Sequence, residues 1–204
     1  MLSMNGICAE QLTNSGYRYE KNFGVSIARL REIASEYTPD YTLAYRLWLL
    51  PIRETKILAT MLCPPSDLNI DNIDKWTAII DNNELAETAG SFLFSKAPHL
   101  TLHFISLLND PNPTLRITAY CTIAKQTAQI IARHDISTLC LIMDNISGDD
   151  LDSISAYRPI ETIIYQIEMA KINATSLSLD NLYSRIYASN CRFAPSIIQL
   201  KRLV

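Results

Sequence analysis

Apolar residues recur three and four positions apart through most of this chain, and Pro, Gly and Asn break the pattern at short intervals. Leu43, Leu47 and Leu50 are spaced this way, as are Ile57, Leu58 and Met61, and then Leu85, Ala89 and Phe92. In an α-helix such positions fall on one face, so each segment is expected to form a short helix with one apolar stripe. No segment sustains the period-two alternation of a half-buried strand or the strand–helix–strand rhythm of a parallel sheet. A short helix cannot bury its stripe alone. Many such helices in series are satisfied by stacking antiparallel pairs side by side, each covering its neighbour. The expected fold is all-α, a repeat solenoid or alpha-alpha superhelix, with residues 1–204 as one domain.

The punctuation divides the chain. Residues 1–15 are expected to form a helix ended by Gly16, followed by a polar and aromatic linker over 17–23 that holds Arg18 and Lys21. Ser26 then caps a second helix with Ile27, Leu30, Ile33 and Ala34 facing inward. Pro39 and Pro51 bracket a third helix carrying Trp48, Pro64 and Pro65 close a fourth, and 71–80 and 83–94 form the next two. Residues 97–126 contain Leu-Leu-x-Asp-Pro-x-x-x-Leu-Arg-x-x-Ala, which looks like a HEAT repeat: a helix, a turn over 109–113, and a second helix reaching about Arg133. Asn112 suits its cap and Pro113 its first position, where a missing N–H costs nothing. Further on, Asp135 caps a helix over 136–146, and 147–150 is a loop. A long helical tract runs to about Lys171, interrupted or begun again near Pro159, and the last full helix covers 180–190. The expected core includes Leu47, Trp48, Ile57, Leu58, Trp76, Phe92, Leu107, Ile117 and Ile123.

Composition narrows the class. Hydrophobic residues at 48% with only 5 glycines exclude extensive disorder. No apolar run reaches the roughly eighteen residues of a membrane span, and the opening MLSMNGICAEQL lacks the basic and apolar regions of a signal peptide. Cys8, Cys63, Cys121, Cys140 and Cys191 are odd in number, scattered, and form no C-x-x-C. Reduced, mostly buried thiols in a cytoplasmic protein are expected. A net charge of −3 argues against a dedicated nucleic-acid binder, but residues 1–112 hold 9 basic against 13 acidic side chains and residues 113–204 hold 9 against 8. A local basic groove is compatible with that distribution.

Within 43–94, Trp48, Glu54, Ala59, Trp76 and the run Asn83-Glu84-Leu85-Ala86-Glu87 stand at fixed offsets. With the helical pattern around them they resemble the DNA alkylation repair (AlkD-like) family, alkylpurine glycosylases built from HEAT-like repeats. The resemblance extends over roughly residues 24–125. It implies double-stranded DNA as partner, no cofactor and no metal, and release of N3- or N7-alkylpurines. In the family a Trp-Asp-x-x-Asp run supplies a carboxylate that stabilises the cationic sugar as an already charged base departs, so no strong general acid is required. Glu87 stands where that carboxylate would be, one methylene longer, and Asn83 where an indole would stack. The family's second indole falls within YRPIETIIYQIE, residues 157–168, where this chain offers Tyr157 and Tyr165. Both family tryptophans are therefore replaced, and whether the chain is an enzyme stays open. Without the resemblance, Glu84 and Glu87 read as the solvated face of an ordinary helix.

Arg116 has two readings. It pairs with Asp110 across repeats as a scaffold element, or, as the resemblance implies, its guanidinium fork grips the DNA backbone, with Lys125, Arg158 and Lys171 continuing a phosphate track. His99 and His103 share a helical face, but the H-E-x-x-H glutamate and a third ligand are missing, so ordinary helix residues are expected there. The functional expectation is a DNA-interacting alkylation repair protein, a glycosylase with a degraded site. The alternative is a non-catalytic HEAT-repeat module that binds DNA backbone or another protein.

Overall fold

In the computed structural model the described residues are Glu10, 19–170, 179–189 and 191–200. Among them are eleven α-helices and no strand, only an isolated bridge between Lys21 and Ile52. The chain is all-α. Its Cα positions group into two compact units, Met1–Ala97 and Pro98–Val204. The helix expected over 1–15 falls outside the described residues apart from Glu10, and Arg18, Lys171 and Cys8 lie outside them too.

The first unit holds α1 (Ile27–Ser35), α2 (Tyr41–Trp48), α3 (Arg53–Leu62), α4 (Ile73–Thr77) and α5 (Asn83–Phe92). The sequence explains most starts. Ser26 accepts from the Arg29 N–H, Asp40 from Leu43 and Asn82 from Leu85, each satisfying an orphan donor of a first turn. Gly24 precedes α1 with φ 70°, a conformation that other residues rarely adopt. Helix α3 packs on α1, α2 and α5. The starts of α1, α3 and α5 meet, because Arg53 reaches both the Val25 carbonyl and Glu84. Their last turns also meet, around one cleft lined by Ser35, Met61 and Phe92. These three helices therefore run parallel in one layer. Helix α2 runs the other way, its cap residue Asp40 donating to the Leu62 carbonyl at the end of α3.

Two tryptophans hold α2 and α4 together. Trp48 and Trp76 are fully buried with ring centroids 5.2 Å apart, and Trp48 Nε1 donates to the Trp76 carbonyl at 3.2 Å. The stripe expected on α2 needs correction. Leu43 and Leu50 are exposed and Leu47 half-buried, while Ala44 and Trp48, four apart, face the core. The indole is the larger surface to hide, and burying it turns the leucines outward. Of the nine expected core residues, Trp48, Ile57, Trp76, Ile117 and Ile123 are buried, whereas Leu47, Leu58, Phe92 and Leu107 are half-buried.

The second unit holds α6 (Thr101–Ser106), α7 (Pro113–Ala132), α8 (Ile136–Asn145), α9 (Ile154–Met169), α10 (Leu179–Ser189) and α11 (Ala194–Leu200). Asn112 caps α7 with Pro113 at its first position, and Asp135 caps α8, as the sequence predicts. Buried Thr118, Thr122 and Thr127 of α7 donate to the carbonyl four residues back, which satisfies hydroxyls that burial would otherwise penalise. Helices α7 and α9 run parallel: early α7 meets Asp150 just before α9, and further along Gln166 approaches the Ala124 carbonyl. The break expected near Pro159 does not occur, and α9 continues through it. Packing of Ile160, Ile163, Ile164 and Ile167, all buried, outweighs the one backbone bond that the proline removes.

Candidate functional site

The two carboxylates of α5 differ in environment. Glu84 is 8% exposed and is held by Arg53, itself 3% exposed, through Nη2 at 2.6 Å and Nε at 2.9 Å. The Tyr19 hydroxyl donates to Glu84 Oε2 at 2.8 Å, the oxygen that Arg53 Nε also reaches. Glu54 joins the cluster, accepting from the Phe23 and Val25 N–H groups and from Arg53 Nη1, all at 3.2 Å. Glu84 is therefore not on a solvated face, and this buried cluster is the feature that sequence reasoning missed. Arg53 and Glu54 resemble an ordinary charged first turn until the partner 31 residues away is known.

Glu87, one turn on, is half-buried and makes no hydrogen bond or ion pair with another described residue. It shares a face of α5 with Asn83 and Ser91, since the three are four apart. Asn83 is half-buried at the first position of the helix, following the cap residue Asn82. The carboxylate is thus presented by a helix whose start is fixed through Glu84.

The remaining candidates belong to the second unit. Arg116 donates to Asp150 through Nε at 2.9 Å and Nη2 at 2.8 Å, and through Nη1 to the Asp110 and Pro111 carbonyls. The expected pairing with Asp110 is replaced by one with a different acid. Asp150 is the ion-pair partner, while the Asp110 carboxylate accepts from the Asn112 N–H and shapes the turn. Asp150 also accepts from the Tyr120 hydroxyl at 2.9 Å. The same trio, an arginine, a buried acid and a tyrosine hydroxyl, thus recurs in both units. Lys125 and Arg158 are exposed. Tyr157 stacks on Phe193 with centroids 4.6 Å apart and donates to Glu161, whereas Tyr165 is 48% exposed. His99 is exposed and His103 half-buried, and among the described residues no group of three His, Cys, Asp or Glu is placed to hold a metal ion. No described helix is long and apolar enough to cross a membrane.

Burial, reinforced by the adjacent acid, pushes the hydroxyls of Tyr19 and Tyr120 well above the ordinary tyrosine range, and burial pushes the Cys63 thiol up to about 12. A group whose folded-state pKa is raised contributes stability below its unfolded pKa and loses it as pH climbs. Unfolding free energy should therefore fall above about pH 10, by about 1.4 kcal/mol per pH unit for Tyr120 alone. Tyr120→Phe should flatten that alkaline limb by the same slope while weakening the protein near neutrality. Urea titrations across pH 7–11 read both effects; an unchanged alkaline slope would remove Tyr120 from the linkage.

No curated protein and no solved structure matches the chain significantly. A family model does match, over residues 8–155, a span that includes the buried Arg53–Glu84 cluster, Glu87 and the Arg116–Asp150 pair. Its description is DNA alkylation repair enzyme, and the chain belongs to that family.

Proposed function

We propose that this protein acts on alkylated duplex DNA, with Glu87 as the carboxylate that stabilises the oxocarbenium ion when an N3- or N7-alkylpurine departs. One observation carries the reading. Of the two acids on α5, Glu84 is consumed by Arg53 and Tyr19, while Glu87 is half-buried with no bond to a described residue. A carboxylate with no partner among the described residues, on a helix anchored one turn away, suits a developing positive charge. No proton transfer is needed here, because the electron pair of the breaking bond passes to the cationic base, which leaves neutral while the positive charge passes to the sugar.

Stacking is the weak point of the site. Base–aromatic stacking is worth about 1–3 kcal/mol per base, and Asn83 offers none. Tyr157 already stacks on Phe193, which leaves Tyr165 as the exposed phenol of that stretch. Two missing stacking surfaces, where Tyr165 restores neither, would slow excision by roughly one to four powers of ten at 1.4 kcal/mol per decade. Slow activity on lesions that already depart easily is the expected behaviour. Lys125 and Arg158 are proposed as backbone contacts. Arg116 is proposed to act mainly by fixing α7 against Asp150, since its three nitrogens all donate to internal acceptors.

Release of methylated purines from alkylated duplex DNA tests the reading. Wild type should release them slowly but above the uncatalysed rate, and Glu87→Gln should return the rate to background. Equal slow release by the mutant removes Glu87 from the chemistry. Absence of both excision and duplex binding in low salt favours the other reading, a helical module for a protein partner.

A further inference from the structure

The first unit contains a cleft of about 460 Å³ over the last turns of α1, α3 and α5. Met61 lines it with Arg31, Ser35, Ser91, Phe92 and Lys96. We propose that this cleft seats a backbone phosphate of the DNA strand that passes Glu87, an assignment that rests on the function proposed above.

Charge bookkeeping comes first. Neither Arg31 nor Lys96 forms an ion pair with a described carboxylate, whereas Arg29 and Arg116 each have one and Arg53 has two. The Arg31 guanidinium lies over the Phe92 ring with its carbon 4.6 Å from the centroid. Stacking holds the guanidinium at the ring beside the cleft, and a guanidinium fork suits an oxyanion. The Ser91 hydroxyl makes no hydrogen bond to a described residue and can donate as well; Ser35 already donates to the Glu32 carbonyl. Position comes second. Ser91 is four residues from Glu87 on the same helix, so the cleft begins about 6 Å along α5 from the candidate carboxylate. Consecutive phosphates of one strand are spaced on a similar scale, so one bound at the cleft brings a neighbouring sugar toward Glu87.

One effect opposes this. Three helix C-termini converge here, each carrying about half a negative charge. Against two full positive charges this leaves a modest attraction. The cleft is therefore a register contact, not a tight anion trap. Each cation should account for about one unit in the slope of log affinity against log salt.

The test is fluorescence anisotropy of the whole protein on a short labelled duplex over a salt series. Arg31→Gln and Lys96→Gln should each lower affinity several-fold and shallow the slope by about one, and the double variant by about two. Arg31→Lys should keep the slope and lose part of the affinity, because charge stays while the fork is lost. Thermal melts of the free variants, expected near wild type, separate loss of contact from loss of fold. If wild type binds duplex and the double variant binds equally with the same slope, the cleft assignment is overturned while the reading of Glu87 survives. If wild type binds no duplex at low salt, both fall. A melting-temperature rise with inorganic phosphate that vanishes in the double variant, beside unchanged duplex binding, would assign the cleft to a small phosphorylated ligand and overturn the backbone role.

Discussion

Arg53→Met should lower the unfolding free energy by about 3–5 kcal/mol, measured by urea denaturation near neutral pH. The arginine is 3% exposed, and its removal strands two carboxylates: Glu84 keeps only the Tyr19 hydroxyl, and Glu54 keeps only backbone N–H donors. Burial opposes the charge of Arg53, but Glu84 and Glu54 outweigh it and the guanidinium is held more firmly protonated than in water. Most of the expected loss is thus the cost of an uncompensated buried acid, not the worth of the pair. Two controls follow from that. Arg53→Met with Glu84→Gln should recover a large part of the loss, since a neutral amide still accepts from Tyr19. Arg116→Met should cost less, because its side chain is 23% exposed and Asp150 retains the Tyr120 hydroxyl. A loss under 1 kcal/mol for Arg53→Met would show that Glu84 is solvated in solution. Because α5 also presents Glu87, any excision should be lost in the single variant ahead of global unfolding.

The helical layout was legible because its signals are local. Ser26, Asn112, Pro113 and Asp135 each act on backbone groups within three residues, and each does what its position predicts. The paired charges were not legible, because they are decided by neighbours far along the chain. Glu84 and Glu87 sit in one run and differ only in what α3 brings against them, Arg53 in one case and no described donor in the other. Likewise Arg116 had an acid six residues back in Asp110, yet parallel packing of α7 and α9 supplies Asp150 from 34 residues on. The α2 stripe failed for a related reason. Three leucines at helical spacing outvote one tryptophan in a pattern, but a fully buried indole outweighs them in free energy. The candidate site was therefore readable as a run of residues. Which member of the run is left without an ion-pair partner among the described residues depended on tertiary pairing.

Trp48→Ala and Trp76→Ala should each destabilise the first unit by about 3–5 kcal/mol, the range for removing a fully buried indole and leaving a cavity. The surrounding Tyr41 and Tyr45 rings lie 6.1 and 5.7 Å from Trp76 and pack among themselves, so they cannot close over the gap. The phenylalanine variants discriminate further. Trp48 Nε1 donates to the Trp76 carbonyl, whereas Trp76 Nε1 is buried with no hydrogen-bond partner among the described residues. Trp48→Phe therefore loses volume and a hydrogen bond, and Trp76→Phe loses volume while shedding an unsatisfied donor. The first should be the more costly by about 1 kcal/mol. These are the chain's only tryptophans, and their burial bears on the chemistry. Neither ring is exposed to stack on a displaced base, so any excision by Trp76→Phe should match wild type once stability is matched. Selective loss of excision in a stably folded Trp76→Phe protein would mean that this indole reaches the lesion, and Glu87 would then work beside an aromatic surface after all.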